Sequence, residues 1–196
     1  MLNKITLQIT NYIRENSNIK NQDDLDRINY SLQAILGDLI KFIVLTIIFW
    51  GLGRLKYFLF SASILISLRI FMGGYHCRTF MRCLFTSLII FLITSFIGPK
   101  IPILNQYTYY GLSIFSILIT VIYAPFPNIK RPIKNKKRRQ ILKLISIFSL
   151  IVWISLLLFK LNTSSYLNCG FLTLLLQAIQ IFIIPLKGGL FYEKTK

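Results

Sequence analysis

Acidic residues are scarce in this sequence: six Asp and Glu stand against 23 Lys and Arg, which gives a formal net charge of +17 at pH 7. No acidic residue lies in the middle of a long apolar stretch, so carboxylate-relay transport and intramembrane aspartyl or glutamyl proteolysis are disfavoured. The zinc motif His-Glu-x-x-His, the hydrolase motif Gly-x-Ser-x-Gly and the P-loop are also absent. The remaining catalytic chemistry must come from other residue types.

Histidine and cysteine are few, with one histidine and three cysteines. An odd number of cysteines, two of them in one polar stretch, does not suggest a disulfide framework and suits a reducing, cytosol-facing site. Asp23, Asp24 and Asp26 form an acidic cluster, but no histidine or further acid is spaced to complete a coordination shell. We interpret these three residues as the cap and acidic first turn of a helix, and we expect no metal and no cofactor.

Apolar residues make up 55% of the chain and come in long blocks. Each block approaches the roughly 20 residues that an α-helix needs to cross a bilayer. The six blocks are 35–52, 57–72, 80–97, 103–124, 141–159 and 166–186. The sequence therefore predicts an all-α membrane protein, a polytopic bundle of about six transmembrane helices. The second and third spans are the least secure because their lengths are marginal, and the insert between them could instead enter the membrane as a re-entrant loop.

The N-terminal segment is polar and mixed in charge over its first 35 residues, so no cleavable signal peptide is expected. Within it, residues 2–13 predict an amphipathic helix that lies on the membrane surface. Its apolar positions recur at helical spacing: Leu2, Ile5, Ile9, Tyr12 and Ile13. We divide the chain into a cytosolic or interfacial segment (1–34), a six-span transmembrane domain (35–186) and a cytosolic tail (187–196).

The basic residues lie between the apolar blocks, where the simplest interpretation is that they set orientation and contact anionic lipids. The largest cluster, in a basic loop at about 125–140, lacks the interleaved aromatics that stack on bases, so nucleic acid is not an expected partner. This loop could also capture an acidic partner. The six-span arrangement puts sixteen Lys and Arg on one face and four on the other. That asymmetry predicts cytosolic termini, and a cytosolic position for the polar insert at about 69–83.

Three basic residues lie inside or at the edges of the apolar blocks: Lys41, Arg69 and Lys143. Lys143 is interpreted as an end residue whose ammonium reaches the interface. Lys41 follows Asp38 by one turn, which favours an i, i+3 ion pair over a substrate role. Arg69 is at the predicted cytosolic end of its span, where its guanidinium could hold a carboxylate or peptide carbonyl, or simply extend to the interface.

The polar insert contains the single histidine, His76, and two of the cysteines, Cys77 and Cys83. On one unbroken helix His76 and Cys83 would lie about 10 Å apart along the axis, too far for proton transfer. Gly73 and Gly74 can break the helix and let the chain fold back. The pattern thus predicts a Cys/His pair in which Cys83 is the nucleophile and His76 the general base and acid. Cys77 is the alternative nucleophile, although a side chain next to His76 usually points away from the imidazole.

Three further residues of the insert favour an activated thiol, because a cysteine nucleophile acts as the thiolate. Thr79 is a candidate N-cap that would place Cys83 in the first turn of the following helix, where free N–H groups and the helix dipole favour an anion. Arg78 and Arg82 add positive charge. The alternative is that the histidine and cysteines are packing residues of a membrane loop.

Taken together, these residues resemble the AgrB family, the membrane cysteine endopeptidases of Gram-positive quorum-sensing systems. The family pattern is an arginine, a Gly-rich step, a histidine, six residues and a cysteine. It maps onto Arg69, Gly73, Gly74, His76 and Cys83. Length, basic character, multiple spans and the early polar segment extend the resemblance over essentially the whole chain. Cys77 departs from the pattern, since family members often have a small residue such as alanine there.

The resemblance implies a short AgrD-like propeptide as substrate, with an amphipathic N-terminal helix and an acidic C-terminal part. Cys83 would form an acyl-enzyme thioester with proton transfer by His76, and an internal Cys or Ser of the propeptide would then close a thiolactone or lactone. It also implies a homodimer, and a supporting or substrate-binding role for Arg69, Gly73, Gly74, Arg78 and Arg82. The alternatives are a small exporter of a peptide or cation without peptidase activity, and a non-catalytic membrane scaffold.

A third residue that orients His76 is not identified by the pattern. Gln33 is a conceivable orienting amide, but nothing in the sequence places it near the insert.

Overall fold

The structure, a computed structural model, describes residues 2–17, 21–73, 79–125, 135–161 and 163–192. Across these ranges the chain is almost entirely helical and contains no strand, so the predicted all-α fold is confirmed. The α-helices are α1 (Leu2–Asn16), α2 (Gln22–Gly51), α3 (Leu55–Met72), α4 (Phe80–Leu92), α5 (Gln106–Tyr123), α6 (Lys136–Phe159) and α7 (Ser164–Tyr192). A π-helical turn (Ile93–Ile97) and a 3₁₀ turn (Gly98–Lys100) extend α4.

Membrane-spanning capacity is found in five of the described helical segments, which are long and apolar enough to cross a bilayer. They are Gln22–Gly51, Leu55–Met72, Phe80–Lys100, Lys136–Phe159 and Ser165–Phe182. They coincide with five of the six predicted spans, and the polytopic membrane fold is confirmed. The exception is the predicted span 103–124, which folds as the 18-residue α5. Its first turn and a half, Gln-Tyr-Thr-Tyr-Tyr-Gly, is polar and aromatic, and α5 is not among the five segments.

Three of the helices begin at an asparagine cap. The side-chain oxygen of asparagine accepts hydrogen bonds from backbone N–H groups that have no partner in the first turn of a helix. Asn21 caps α2, Asn105 caps α5 and Asn135 caps α6. The cap that we expected from the acidic cluster is therefore supplied by Asn21. Asp23 and Asp24 do form the predicted acidic first turn of α2.

Two clusters of buried apolar side chains hold the helices together. The larger cluster packs α3 against α5, α6 and α7, and includes Leu68, Met72, Leu157, Leu174 and Ile181. The smaller joins α2, α3 and α4 around three rings. Phe49 stacks on Phe58 with ring centroids 4.8 Å apart, and Phe91 meets Phe58 edge-on at 4.9 Å. Helix α3 belongs to both clusters and is therefore the central element.

Helix α1 has the predicted amphipathic pattern. It packs on α2 through a narrow threonine face, where Thr6 and Thr10 are buried. The apolar positions Ile5, Ile9 and Tyr12 are exposed instead. This leaves an apolar stripe free of the protein core, as expected for a helix on a membrane surface. Attachment to the membrane remains a prediction.

Candidate active site

Cys83 lies at the start of α4, as predicted. Thr79 has extended backbone torsions, with φ −124° and ψ 146°, and its hydroxyl oxygen accepts from the Arg82 N–H at 3.4 Å. The Cys83 N–H donates to the Thr79 carbonyl at 3.2 Å, which is the first backbone bond of the helix. The predicted N-cap at Thr79 is therefore confirmed. Cys83 is buried, with 8% of its surface exposed.

A glycine ends α3 where the sequence predicted a break. Gly73 has φ 78° and ψ −172°, a backbone region that essentially only glycine occupies. Its N–H donates to the Arg69 carbonyl at 3.0 Å and closes the last turn of α3. Helices α3 and α4 are thus separate elements.

Four of the predicted site residues lie outside the described part of the chain: Gly74, His76, Cys77 and Arg78. Pairing of His76 with Cys83, and the choice between Cys83 and Cys77 as nucleophile, therefore remain predictions. Of the other predicted residues, Arg69 is half-buried in the last turn of α3 and Arg82 is exposed in the first turn of α4.

Helix α2 packs against the start of α4, on one side of the Cys83 thiol. A Cβ added at Gly37 would lie 3.9 Å from the Phe80 ring, an ordinary van der Waals distance, so α2 passes close to the first residue of α4 at this point. One turn along the same face, the Lys41 ammonium donates a hydrogen bond to Cys83 Sγ at 3.2 Å. Lys41 also forms the predicted i, i+3 ion pair with Asp38. The contact with Cys83 was not predicted, and no local pattern in the sequence indicates it.

Helix α7 contacts the end of α3 through Gln177. This residue is 1% exposed, and its amide nitrogen lies 3.5 Å from the Gly73 carbonyl oxygen. Its Oε1 has no hydrogen-bond partner among the described residues, which is unusual for a buried amide. Sequence reasoning missed Gln177. Gln33, the conceivable orienting amide of the sequence analysis, donates a side-chain hydrogen bond to Asn3 Oδ1 at 2.8 Å and so links α2 to α1.

Comparison of the sequence with known proteins identifies its family. The sequence model of AgrB, accessory gene regulator B, matches residues 6–181. An AgrB-like protein of Clostridium beijerinckii is 40% identical over 195 residues, which cover 100% of this chain and 96% of that protein. The accessory gene regulator protein B of Staphylococcus saprophyticus is 26% identical over 99% of this chain and 98% of its own. That of Staphylococcus aureus is 28% identical, covering 80% and 82%. No solved structure matches. The chain belongs to the AgrB family.

Proposed function

We propose that this protein is a membrane cysteine endopeptidase that cleaves an AgrD-like propeptide and promotes its cyclisation to a quorum-sensing peptide. The observation that carries the proposal is the setting of Cys83. Its sulfur is buried in the first turn of α4 and accepts a hydrogen bond from the Lys41 ammonium. A helix N-terminus and a cation both favour the thiolate, the form in which cysteine acts as a nucleophile. Membership of the AgrB family supports the same assignment.

The reaction would begin with transfer of the Cys83 proton to His76. The sulfur attacks the carbonyl at the end of the future signal, a C–S bond forms and the peptide C–N bond breaks. His76 returns the proton to the leaving amine, and the acidic C-terminal part departs. A cysteine or serine within the propeptide then gives its proton to the neutral His76 and attacks the thioester carbonyl. The bond to Cys83 breaks, its electron pair returns to the sulfur, and a thiolactone or lactone ring is released.

Burial of Cys83 favours ring closure over hydrolysis. Exchange of one thioester for another is nearly isoenergetic and conserves the acyl activation that attack by water would dissipate. A site closed to water protects such an intermediate. With 8% of its surface exposed, Cys83 is shielded by α2 on the side of Lys41 and Gly37.

The exposed basic turn at the start of α6 suits a substrate with an acidic tail. Lys136, Lys137, Arg138 and Arg139 are all exposed at the N-terminal end of this helix. We place this turn, both chain termini and the site on the cytosolic face, where the basic residues also meet anionic lipid. We further propose that the enzyme works as a homodimer, as the family resemblance implies.

The test is co-expression with a propeptide gene from the same genomic neighbourhood. Cys83→Ala and His76→Ala are each expected to abolish release of the C-terminal part and formation of the cyclic product, followed by mass spectrometry. Cys77→Ala is the matched control and should process normally. Full processing by Cys83→Ala would reject the proposed nucleophile. Transport of the peptide into vesicles that survives thiol alkylation, with no cleavage, would favour an exporter instead.

A further inference from the structure

We propose that Lys41 is a catalytic residue whose ammonium stabilises the Cys83 thiolate. It does so both when the thiolate attacks the peptide carbonyl and when it is the leaving group of the thioester. This inference rests on the proposed function and adds a second cation to the predicted Cys/His pair. It starts from one contact, the hydrogen bond of 3.2 Å from Lys41 Nζ to Cys83 Sγ.

The chemistry of the two groups fixes the direction of that bond. A lysine ammonium has three N–H donors and no acceptor, so the sulfur must be the acceptor. A thiolate is a better acceptor than a neutral thiol for this cation, since the attraction between opposite charges adds to the hydrogen bond. The contact therefore stabilises the ionised form of Cys83 more than the protonated form.

Burial makes this contact stronger than a surface ion pair. The Lys41 side chain is 13% exposed, whereas that of Asp38, its partner in the ion pair, is 58% exposed. Solvent screens an exposed carboxylate, but it has little access to the space between the ammonium and the sulfur. A lysine that merely extends to the interface would have an exposed ammonium. Lys41 is instead directed to the reacting atom.

Among the described residues, the helices that pack on α4 contribute Asp38 and Lys41 from α2 and Arg69 from α3, while Arg82 lies on α4 itself and is exposed. Of these, Lys41 donates directly to the Cys83 sulfur. Asp38 carries the opposite charge, so its electrostatic effect on the thiolate opposes that of Lys41.

Lys41 keeps all three protons throughout the proposed reaction. The thiol proton passes to His76 on acylation, and the sulfur becomes a neutral thioester. In ring closure the C–S bond to Cys83 breaks and the electron pair returns to the sulfur beside the ammonium. A more stable thiolate is a better leaving group, so Lys41 favours release of the cyclic product as well as attack.

The experiment measures alkylation of Cys83 by iodoacetamide in the full-length protein in lipid nanodiscs, from about pH 6 to pH 9. A Cys77→Ser/Cys169→Ser background leaves Cys83 as the single thiol. Lys41→Met is expected to slow alkylation at pH 7 about tenfold or more, because the thiolate is the reacting form and it loses its ammonium partner. Lys41→Arg, which keeps the charge, should restore much of the rate.

Asp38→Asn separates a charge effect from a structural ion pair. If the charge of Lys41 acts on the sulfur, Asp38→Asn is alkylated at least as fast as the parent, and the double variant Asp38→Asn/Lys41→Met behaves like Lys41→Met. Lys41→Met alone leaves the Asp38 carboxylate without its partner and could fold poorly for that reason. The double variant replaces both charges and therefore avoids this problem. Lys143→Met is the matched control: it removes a basic residue from α6, which packs on α3, α5 and α7, and should leave the profile unchanged.

Two results would overturn the inference: a Lys41→Met profile that coincides with the parent, or equal slowing by Lys41→Met and Asp38→Asn. Neither depends on the propeptide, so failure of this inference is distinct from failure of the proposed function. If Cys83→Ala abolishes processing while Lys41→Met leaves alkylation unchanged, only the role of Lys41 is rejected. If Cys83→Ala processes the propeptide, the proposed function is rejected whatever the alkylation profile.

Discussion

Substitution of Gly73 by alanine tests whether the break between α3 and α4 positions the site. Gly73 has φ 78° and ψ −172°, and an alanine held in this region costs of order 1–3 kcal/mol. The chain can avoid that cost only by changing the direction in which it leaves α3. At 25 °C the penalty lowers the population of the native geometry about 5-fold to 150-fold. We expect processing by Gly73→Ala to fall by a similar factor.

The assay follows release of the propeptide's C-terminal part over time at matched protein levels. Gly53→Ala is the control for backbone strain, since Gly53 also has a positive φ, 66°, but lies in the turn between α2 and α3. No atom lies within 4 Å of a Cβ at that position, so only the backbone is perturbed. Gly53→Ala should lower thermal stability in detergent by a similar amount while processing much faster than Gly73→Ala.

Two outcomes would refute this reasoning. Wild-type processing by Gly73→Ala would mean that the break does not set the geometry of the site. Equal loss of processing in Gly73→Ala and Gly53→Ala would mean that strain acts through folding alone.

Two further substitutions test the ends of helices. Thr79→Ala removes the cap of α4 and should lower the free energy of unfolding by about 1 kcal/mol. We expect slower alkylation of Cys83 with a nearly unchanged helix content by circular dichroism. An unaltered alkylation rate would contradict a role for the cap. Tyr109→Phe removes a hydroxyl that donates to Asn168 Oδ1 at 2.5 Å. This substitution should lower the free energy of unfolding by about 1–3 kcal/mol, because it leaves a buried acceptor unpaired. We expect a lower melting temperature with processing retained, and an unchanged melting temperature would contradict a stabilising role for this hydrogen bond.

Much of the fold could be predicted because its determinants are local in sequence. Long apolar blocks identify membrane-grade helices, and the polar stretches between them contain the residues that start and stop helices. Thr79 and Gly73 were both predicted in these roles from residue type and position. The acidic cluster was a partial success: Asp23 and Asp24 occupy the first turn of α2, but Asn21, two residues before Asp23, is the cap. A cap residue can be recognised by type, whereas its exact position depends on where the preceding chain turns.

The parts of the site that were missed depend on contacts between distant helices. Lys41 and Cys83 are 42 residues apart, and Gln177 and Gly73 are 104 apart. Nothing in the local pattern around Lys41 distinguishes a lysine directed to a thiol from one that pairs only with Asp38. The distinction arises from the packing of α2 near the start of α4, which brings Lys41 Nζ within 3.2 Å of Cys83 Sγ and is not a property of helix propensity.

Both ends of the polar insert are held by different parts of the helical bundle. Gly73 is contacted by Gln177 of α7, a helix of the larger core, whereas Cys83 is contacted by Lys41 of α2, a helix of the smaller core. Because α3 belongs to both cores, a shift between them would move the end of α3 relative to the start of α4. Under the proposed function, placement of Cys83 therefore depends on the packing of α2 and α7 against α3. A bundle of several spans supplies a separate contact at Gly73 and at Cys83, which a single helical hairpin of α3 and α4 would lack.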